Sequence, residues 1–147
     1  MTQSPSAATR AWLARLVAHD TTSRNSNLAL IEEVQGYLEA RGIACTLTRD
    51  ETGAKANLDA TIGPADRAGV ALSGHTDVVP VDGQPWSSDP FDLCAADGAY
   101  YGRGTCDMKG FLAVCLAHVP AFQAAELHTP IHLCLSYDEE VGCLGVR

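Results

Sequence analysis

Three short segments carry the histidine and carboxylate side chains best suited to chemistry. His75 and Asp77 follow an apolar run, Asp107 lies among glycines just before a helical pattern, and Glu139 and Glu140 follow a second apolar run. Histidine nitrogens and carboxylate oxygens are ligands that zinc and similar divalent ions take in proteins. A metal site is therefore the first chemistry to consider.

Each segment alone also has an ordinary structural explanation. A histidine two residues before an aspartate is often a satisfied loop histidine, an aspartate before a helix is a common N-cap, and adjacent glutamates often form a solvated turn. However, all three segments follow strands or open a helix, where α/β proteins gather ligands at one edge of the sheet. Asp77 would orient His75. Glu139 and Glu140, as neighbours on extended backbone, would point in different directions, one to metal and one to substrate.

Helical and extended patterns alternate along the chain. Apolar residues at three- and four-residue spacing predict three helices, at residues 6–18, 28–40 and 109–125. Ser26 or Asn27 is the expected N-cap of the second helix. Apolar runs predict strands at residues 43–48, 57–62, 69–73 and 131–137, and a hairpin at 91–101 that turns at Asp97 and Gly98. We expect an α/β fold with a mixed sheet flanked by helices, in which the strand at 69–73 is buried and the last strand is central.

The composition is that of a globular protein with an acidic surface. Hydrophobic residues make up 46% of the chain and the net charge is −8, which argues against nucleic acid and anionic membranes as partners. No apolar run approaches the roughly 18 residues of a membrane span, and residues 1–10 lack a signal-peptide pattern, so we expect a cytoplasmic protein. The cysteines are expected to be reduced core thiols: Cys45, Cys94, Cys106, Cys115, Cys134 and Cys143.

Four motifs resemble the successive signatures of one family of metallohydrolases. They are GHTDVVPVDGQPW from Gly74, DPF from Asp89, YGRGTCDMKGF from Tyr101 and SYDEEVGCLGV from Ser136. The sequence resembles the family of acetylornithine deacetylase, succinyl-diaminopimelate desuccinylase and glutamate carboxypeptidase over roughly residues 73–146. Within that family, the last two motifs are most similar to those of acetylornithine deacetylases.

The resemblance implies an enzyme that hydrolyses linear amides with two divalent metal ions, zinc or cobalt. In the family, the residues matching His75 and Glu140 each bind one ion and the residue matching Asp107 bridges both. The residue matching Asp77 orients the histidine, and the residue matching Glu139 is the general base and acid for a metal-activated water. The implied substrate is a small N-acyl amino acid, foremost N-acetylornithine in arginine biosynthesis. Desuccinylase, aminoacylase or carboxypeptidase activity is the alternative.

The resemblance also implies parts of the site that residues 1–147 do not contain. The family uses two further metal ligands beyond the position of Glu140, and a lid domain that mediates dimerisation and contributes to substrate binding. We therefore expect residues 1–147 to be the N-terminal part of the catalytic domain of a homodimeric enzyme, inactive alone and prone to aggregate or dimerise. The alternative is a catalytically inactive remnant. Packing or surface roles are expected for the other histidines of this half: His118, His128 and His132.

Overall fold

The first two helices each follow a polar residue at the N-cap position. In the computed structural model, which describes residues 4–147, α1 is Ala7–Val17 and α2 is Leu28–Glu39. The Ser6 hydroxyl accepts a hydrogen bond from the Thr9 amide and caps α1. Asn27 occupies the N-cap position of α2, but its side chain makes no capping hydrogen bond. It is hydrogen-bonded instead to the Ala56 backbone and the Thr76 hydroxyl. Both helices agree with the sequence prediction to within one or two residues.

The strands form a mixed four-stranded sheet and a separate hairpin. In chain order they are β1 (Cys45–Arg49), β2 (Ala56–Ile62), β3 (Val70–His75), β4 (Cys94–Ala96), β5 (Ala99–Tyr101) and β6 (Ile131–Ser136). The large sheet has the order β1-β2-β6-β3, with antiparallel pairs except for the parallel pair of β6 and β3. The β4–β5 hairpin turns at Asp97 and Gly98, both at positive φ, as predicted.

The third helix, α3 (Lys109–Ala124), makes the crossover that parallel strands require. It leaves the β3 side of the sheet and returns the chain to β6, which lies between β2 and β3. The prediction of a central last strand is therefore confirmed. Among residues 4–147, the helices are too short or too polar to cross a membrane.

The core lies between the three helices and one face of the large sheet. Side chains of β2 alternate between buried and less buried positions, as a strand with one covered face requires. Leu16, Leu30 and Leu116, one from each helix, are at most 1% exposed. Burying a leucine contributes about 1.5–3 kcal/mol, so this apolar layer stabilises the packing of the helices on the sheet.

Two sequence expectations about burial are wrong. β3 is an edge strand rather than a buried one: Val70 is 56% exposed, and only Leu72 among its first four residues packs on the core. All six cysteines are free, but Cys106 and Cys143 are exposed. They are exposed because they lie in the loops around the candidate site, whereas Cys115 faces inward from α3 and is buried.

Candidate metal centre

The parallel register of β3 and β6 brings the predicted site residues together. His75, the last residue of β3, pairs with Ser136, the last residue of β6. The carboxyl ends of the two strands therefore meet at one edge. The turn that follows β6, here called the glutamate turn, places Glu139 and Glu140 beside His75. This is the juxtaposition expected of ligands outside the ends of parallel strands.

The distances between these side chains are short. His75 Nε2 lies 3.0 Å from Asp107 Oδ1 and 3.7 Å from Glu139 Oε2. One ligand atom each of His75, Glu139 and Glu140 lie within 4.8 Å of one another. His75, Asp107 and Glu139 also line a cleft of about 380 Å³ at this edge. The structure thus gathers all four predicted metal-site and base residues.

The two glutamates converge on His75 instead of pointing apart. The divergence expected for extended backbone is absent because the chain bends before them: Asp138 has φ +53°, in the left-handed region. Neighbouring side chains in a turn need not alternate as they do in a strand. Glu139 and Glu140 can therefore face the same point.

Asp107 reaches the site from the segment that precedes α3. The N-cap of that helix is Met108, so the alternative role of Asp107 as an N-cap is not observed. The Asp107 side chain is 72% exposed. A Cβ atom at Gly110 would lie 2.3 Å from the Thr105 carbonyl oxygen, so the tight packing of this segment requires glycine there.

Asp77 is buried behind His75 and ties the glutamate turn to it. His75 Nδ1 lies 3.0 Å from the Asp77 carbonyl oxygen and 3.4 Å from its Oδ1. The Asp77 carboxylate accepts the backbone amides of Glu139 and Glu140, at 3.0 and 3.2 Å, and the Ser23 hydroxyl at 2.7 Å. Burial alone would raise the pKa of Asp77, but the interaction with the His75 ring, together with these hydrogen bonds, outweighs it and lowers the pKa to about 2. Asp77 is therefore a fixed negative charge.

The electrostatics of the site favour a cation. Burial would lower the pKa of His75, but hydrogen bonds to Asp77 and Asp107 outweigh it and raise the pKa to about 9. Burial raises the pKa of Glu140, and the negative charge of Asp107 raises it further. A divalent ion bound among these side chains would offset the repulsion between the neighbouring carboxylates. The donor set, one nitrogen with several oxygens, fits Zn²⁺ or Co²⁺.

The other predicted histidines lie elsewhere, as expected. His118 is exposed on α3 and contacts the Val114 carbonyl at 2.8 Å, and His132 on β6 contacts the Thr61 hydroxyl at 2.9 Å. His128 is exposed in the loop before β6. None of the three lines the cleft.

Sequence reasoning missed the residues that support the site from behind. Ser23, which donates to Asp77, lies in the polar segment between α1 and α2. Lys55 and Asp138 form an ion pair beside the glutamate turn, and both side chains are largely buried. The only local signal was the polarity of these segments, which surface loops share. Their partners are 54 and 83 residues away along the chain.

Comparison with known proteins supports the family resemblance. The family model "Peptidase family M20/M25/M40" matches residues 71–147. The chain is 43% identical to an acetylornithine deacetylase of Myxococcus xanthus over 145 residues, which cover 95% of this chain and 37% of that protein. It is 38% identical to an acetylornithine deacetylase of Proteus mirabilis over 131 residues, which cover 88% of this chain and 34% of that protein. The chain thus spans about a third of the length of these relatives.

Solved structures agree with the sequence comparison. Human carnosine dipeptidase 1 matches with a TM-score of 0.79 and 25% identity, covering 94% of this chain and 33% of that one. An M20 family metallo-carboxypeptidase from Sulfolobus solfataricus has the same fold, with a TM-score of 0.73, 24% identity and coverage of 91% and 31%. The family predicted from the four motifs is confirmed: the chain belongs to peptidase family M20/M25/M40.

Proposed function

We propose that residues 1–147 form the N-terminal part of the catalytic domain of an enzyme that hydrolyses N-acetylornithine to ornithine and acetate. The observation that carries the proposal is the convergence of His75, Asp107, Glu139 and Glu140 at one sheet edge. Identity of 34–43% to several acetylornithine deacetylases supports this choice of substrate. In this proposal, the lid domain and the remaining ligands belong to the rest of an intact, homodimeric protein of the cytoplasm.

His75, Asp107 and Glu140 are the residues that would hold the two ions, which we propose to be zinc or cobalt. Such ions supply Lewis acidity, which makes water more acidic and the amide carbonyl more electrophilic. The Nδ1–H of His75 donates to the Asp77 carbonyl, so Nε2, which would lose its proton when an ion binds, is the nitrogen that would face the metal. Asp77 thereby sets the tautomer and orientation of the histidine ligand.

Glu139 is the proposed general base. Its side chain is 46% exposed and lines the cleft, so its carboxylate is accessible to water and to a bound substrate. In the proposed reaction it accepts the proton of the attacking water and donates it to the leaving amine. Because the Glu139 backbone amide is hydrogen-bonded to Asp77, the backbone that carries the Glu139 carboxylate is held in position.

A second class of substrate is supported by one solved structure. Human carnosine dipeptidase 1, which shares the fold at 25% identity, is a dipeptidase by name. Peptide or succinyl-amide hydrolysis is therefore the alternative to deacetylation. All of these reactions break an amide bond and use the same proposed residues.

The test is a substrate panel on the intact protein with zinc or cobalt added. We expect the highest kcat/KM on N-acetylornithine, with lower values on N-succinyl-diaminopimelate and on dipeptides, and loss of activity with a chelator. Preference for the succinyl compound or for a dipeptide would replace the proposed substrate. Activity that persists after complete removal of metal would refute the metal-dependent mechanism.

A further inference from the structure

An ion pair lies directly beneath the glutamate turn. The Lys55 ammonium group contacts both carboxylate oxygens of Asp138, and the two side chains are only 15% and 10% exposed. Asp138 immediately precedes Glu139, whereas Lys55 precedes β2 on the far side of β6. The pair therefore joins the turn to a separate part of the sheet.

This ion pair is one link in a closed ring of contacts. Lys55 Nζ also donates to the Ser23 carbonyl oxygen, and the Ser23 hydroxyl donates to Asp77 Oδ2 at 2.7 Å. Asp77 Oδ1 accepts the Glu139 amide at 3.0 Å, which returns the ring to the residue after Asp138. Four segments far apart in sequence thus hold the turn from both sides.

The ring of contacts includes a residue whose backbone conformation is unusual. Asp138 adopts φ +53°, a region that side-chain-bearing residues avoid, although aspartate tolerates it better than most. This bend is what lets Glu139 and Glu140 both face His75. A contact that fixes the Asp138 side chain in this conformation also fixes the direction of the two following glutamates.

We propose that Lys55 is a positioning residue that, through Asp138, holds Glu139 and Glu140 in the arrangement that binds metal. The inference rests on the proposed metal-dependent function. Lys55 touches neither the cleft nor the ligand atoms, so it acts only through Asp138 and Ser23.

The sign of the effect of Lys55→Met distinguishes positioning from simple electrostatics. Removing a positive charge near a cation site strengthens metal binding if the charge acts only through space. Loss of a residue that orients ligands weakens metal binding, by about 10- to 100-fold for supporting residues of this kind. In the intact protein we expect weaker zinc binding in competition with a chelating dye, and an altered absorption spectrum of bound cobalt.

Two further variants complete the comparison. Lys55→Arg keeps the charge and the donors and should retain most of the affinity. Arg24→Met removes an ion pair with Asp82 that is more than half exposed, and it should leave zinc binding and the cobalt spectrum unchanged. Equal or tighter zinc binding by Lys55→Met, with an unaltered cobalt spectrum, would overturn the inference.

Folding and the function itself are checked separately. If Lys55→Met does not fold, by circular dichroism, then Lys55→Gln carries the same test. Failure of both to fold would also overturn the inference, because the ring would then be a requirement of the fold instead of a positioning device. If the unaltered protein binds no metal and hydrolyses no amide, the proposed function fails, and the inference with it. If the unaltered protein binds metal and hydrolyses amides, and Lys55→Met binds zinc equally well, the inference is refuted while the proposed function stands.

Discussion

At the scale of single residues, Glu139 offers the most direct test of the proposed chemistry. Glu139→Gln keeps the size of the side chain and its backbone contact with Asp77, but it removes the carboxylate that accepts a proton. We expect kcat to fall by about 100- to 10,000-fold, with KM and bound metal little changed. Steady-state kinetics and metal analysis of the intact protein measure both.

Glu32 provides a matched control for this substitution. It is an exposed glutamate on α2, and Glu32→Gln makes the same chemical change away from the cleft. Its kcat should equal that of the unaltered protein. Substantial activity in Glu139→Gln would remove Glu139 from the role of base, and loss of metal together with activity would identify it as a ligand instead.

The residue scale also shows why neighbouring carboxylates differ in character. Asp77 is 2% exposed and surrounded by donors, so its pKa stays at about 2. Burial and the negative charge of Asp107 instead raise the pKa of Glu140. Both are acids that follow a strand in the sequence, and what separates them is the hydrogen-bond donors around Asp77 and the negative charges around Glu140.

At the scale of elements, Asn27 joins three parts of the fold. Its buried amide donates to the Ala56 carbonyl and to the Thr76 hydroxyl, and its oxygen accepts the Ala56 amide. Asn27→Ala would leave these buried groups without partners, which costs about 1–3 kcal/mol per unsatisfied group. We expect a loss of at least about 2 kcal/mol in the free energy of unfolding, measured by urea denaturation.

A surface position on the same helix gives the comparison. Gln35 is hydrogen-bonded only to Glu39 in an exposed pair, and Gln35→Ala should change stability by less than about 0.5 kcal/mol. If Asn27→Ala were as stable as Gln35→Ala, the link from α2 to β2 would not be a stabilising one.

The contact between α1 and α2 predicts a dependence of stability on pH. Burial would raise the pKa of Glu33, but hydrogen bonds from His19 and Arg15 outweigh it, and the pKa is lowered from 4.5. A lowered carboxyl pKa stabilises the fold above the unfolded pKa, and this contribution is lost as pH falls through the folded pKa. Glu33→Gln should therefore be less stable at pH 7, by about 0.5–1 kcal/mol because the pair is partly exposed.

The pH dependence of Glu33→Gln tests whether its loss of stability arises from charge. Unfolding measured from pH 7 down to pH 3 should show the difference between Glu33→Gln and the unaltered protein shrinking towards zero. A difference that stays constant over this range would indicate a packing effect instead of a charge effect.

At the scale of the whole molecule, apolar residues remain exposed around the β3 edge and the site. Val70, Val141 and Val146 are 56%, 55% and 64% exposed. No strand among residues 4–147 pairs with the outer edge of β3. Exposed apolar edges are templates for association. A protein made of residues 1–147 alone should therefore self-associate as its concentration rises, measured by light scattering.

Charge on that edge should suppress the association. Val70→Lys places a lysine on β3, which is how natural proteins protect edge strands. Val114→Lys, at a position 45% exposed on α3, is the control and should have a smaller effect. A monodisperse monomer at all concentrations, or equal effects of both lysines, would show that the β3 edge does not drive association.

Local patterns in the sequence predict the elements and a metal site. The helices, strands and hairpin follow from apolar spacing and turn residues, because these are local patterns of burial and backbone preference. The residue types of His75, Asp107, Glu139 and Glu140, placed at element ends, were sufficient to predict a metal site. The four motifs were sufficient to predict the family, which the comparisons confirm.

How these residues meet depends on long-range packing. The pairing of His75 with Ser136 depends on strand order and register, which are set by packing between segments about 60 residues apart. The bend at Asp138, the ring through Lys55 and Ser23, and the exposure of β3 depend on the same long-range contacts. No local pattern encodes such contacts, because their free energy arises only when distant segments are packed together.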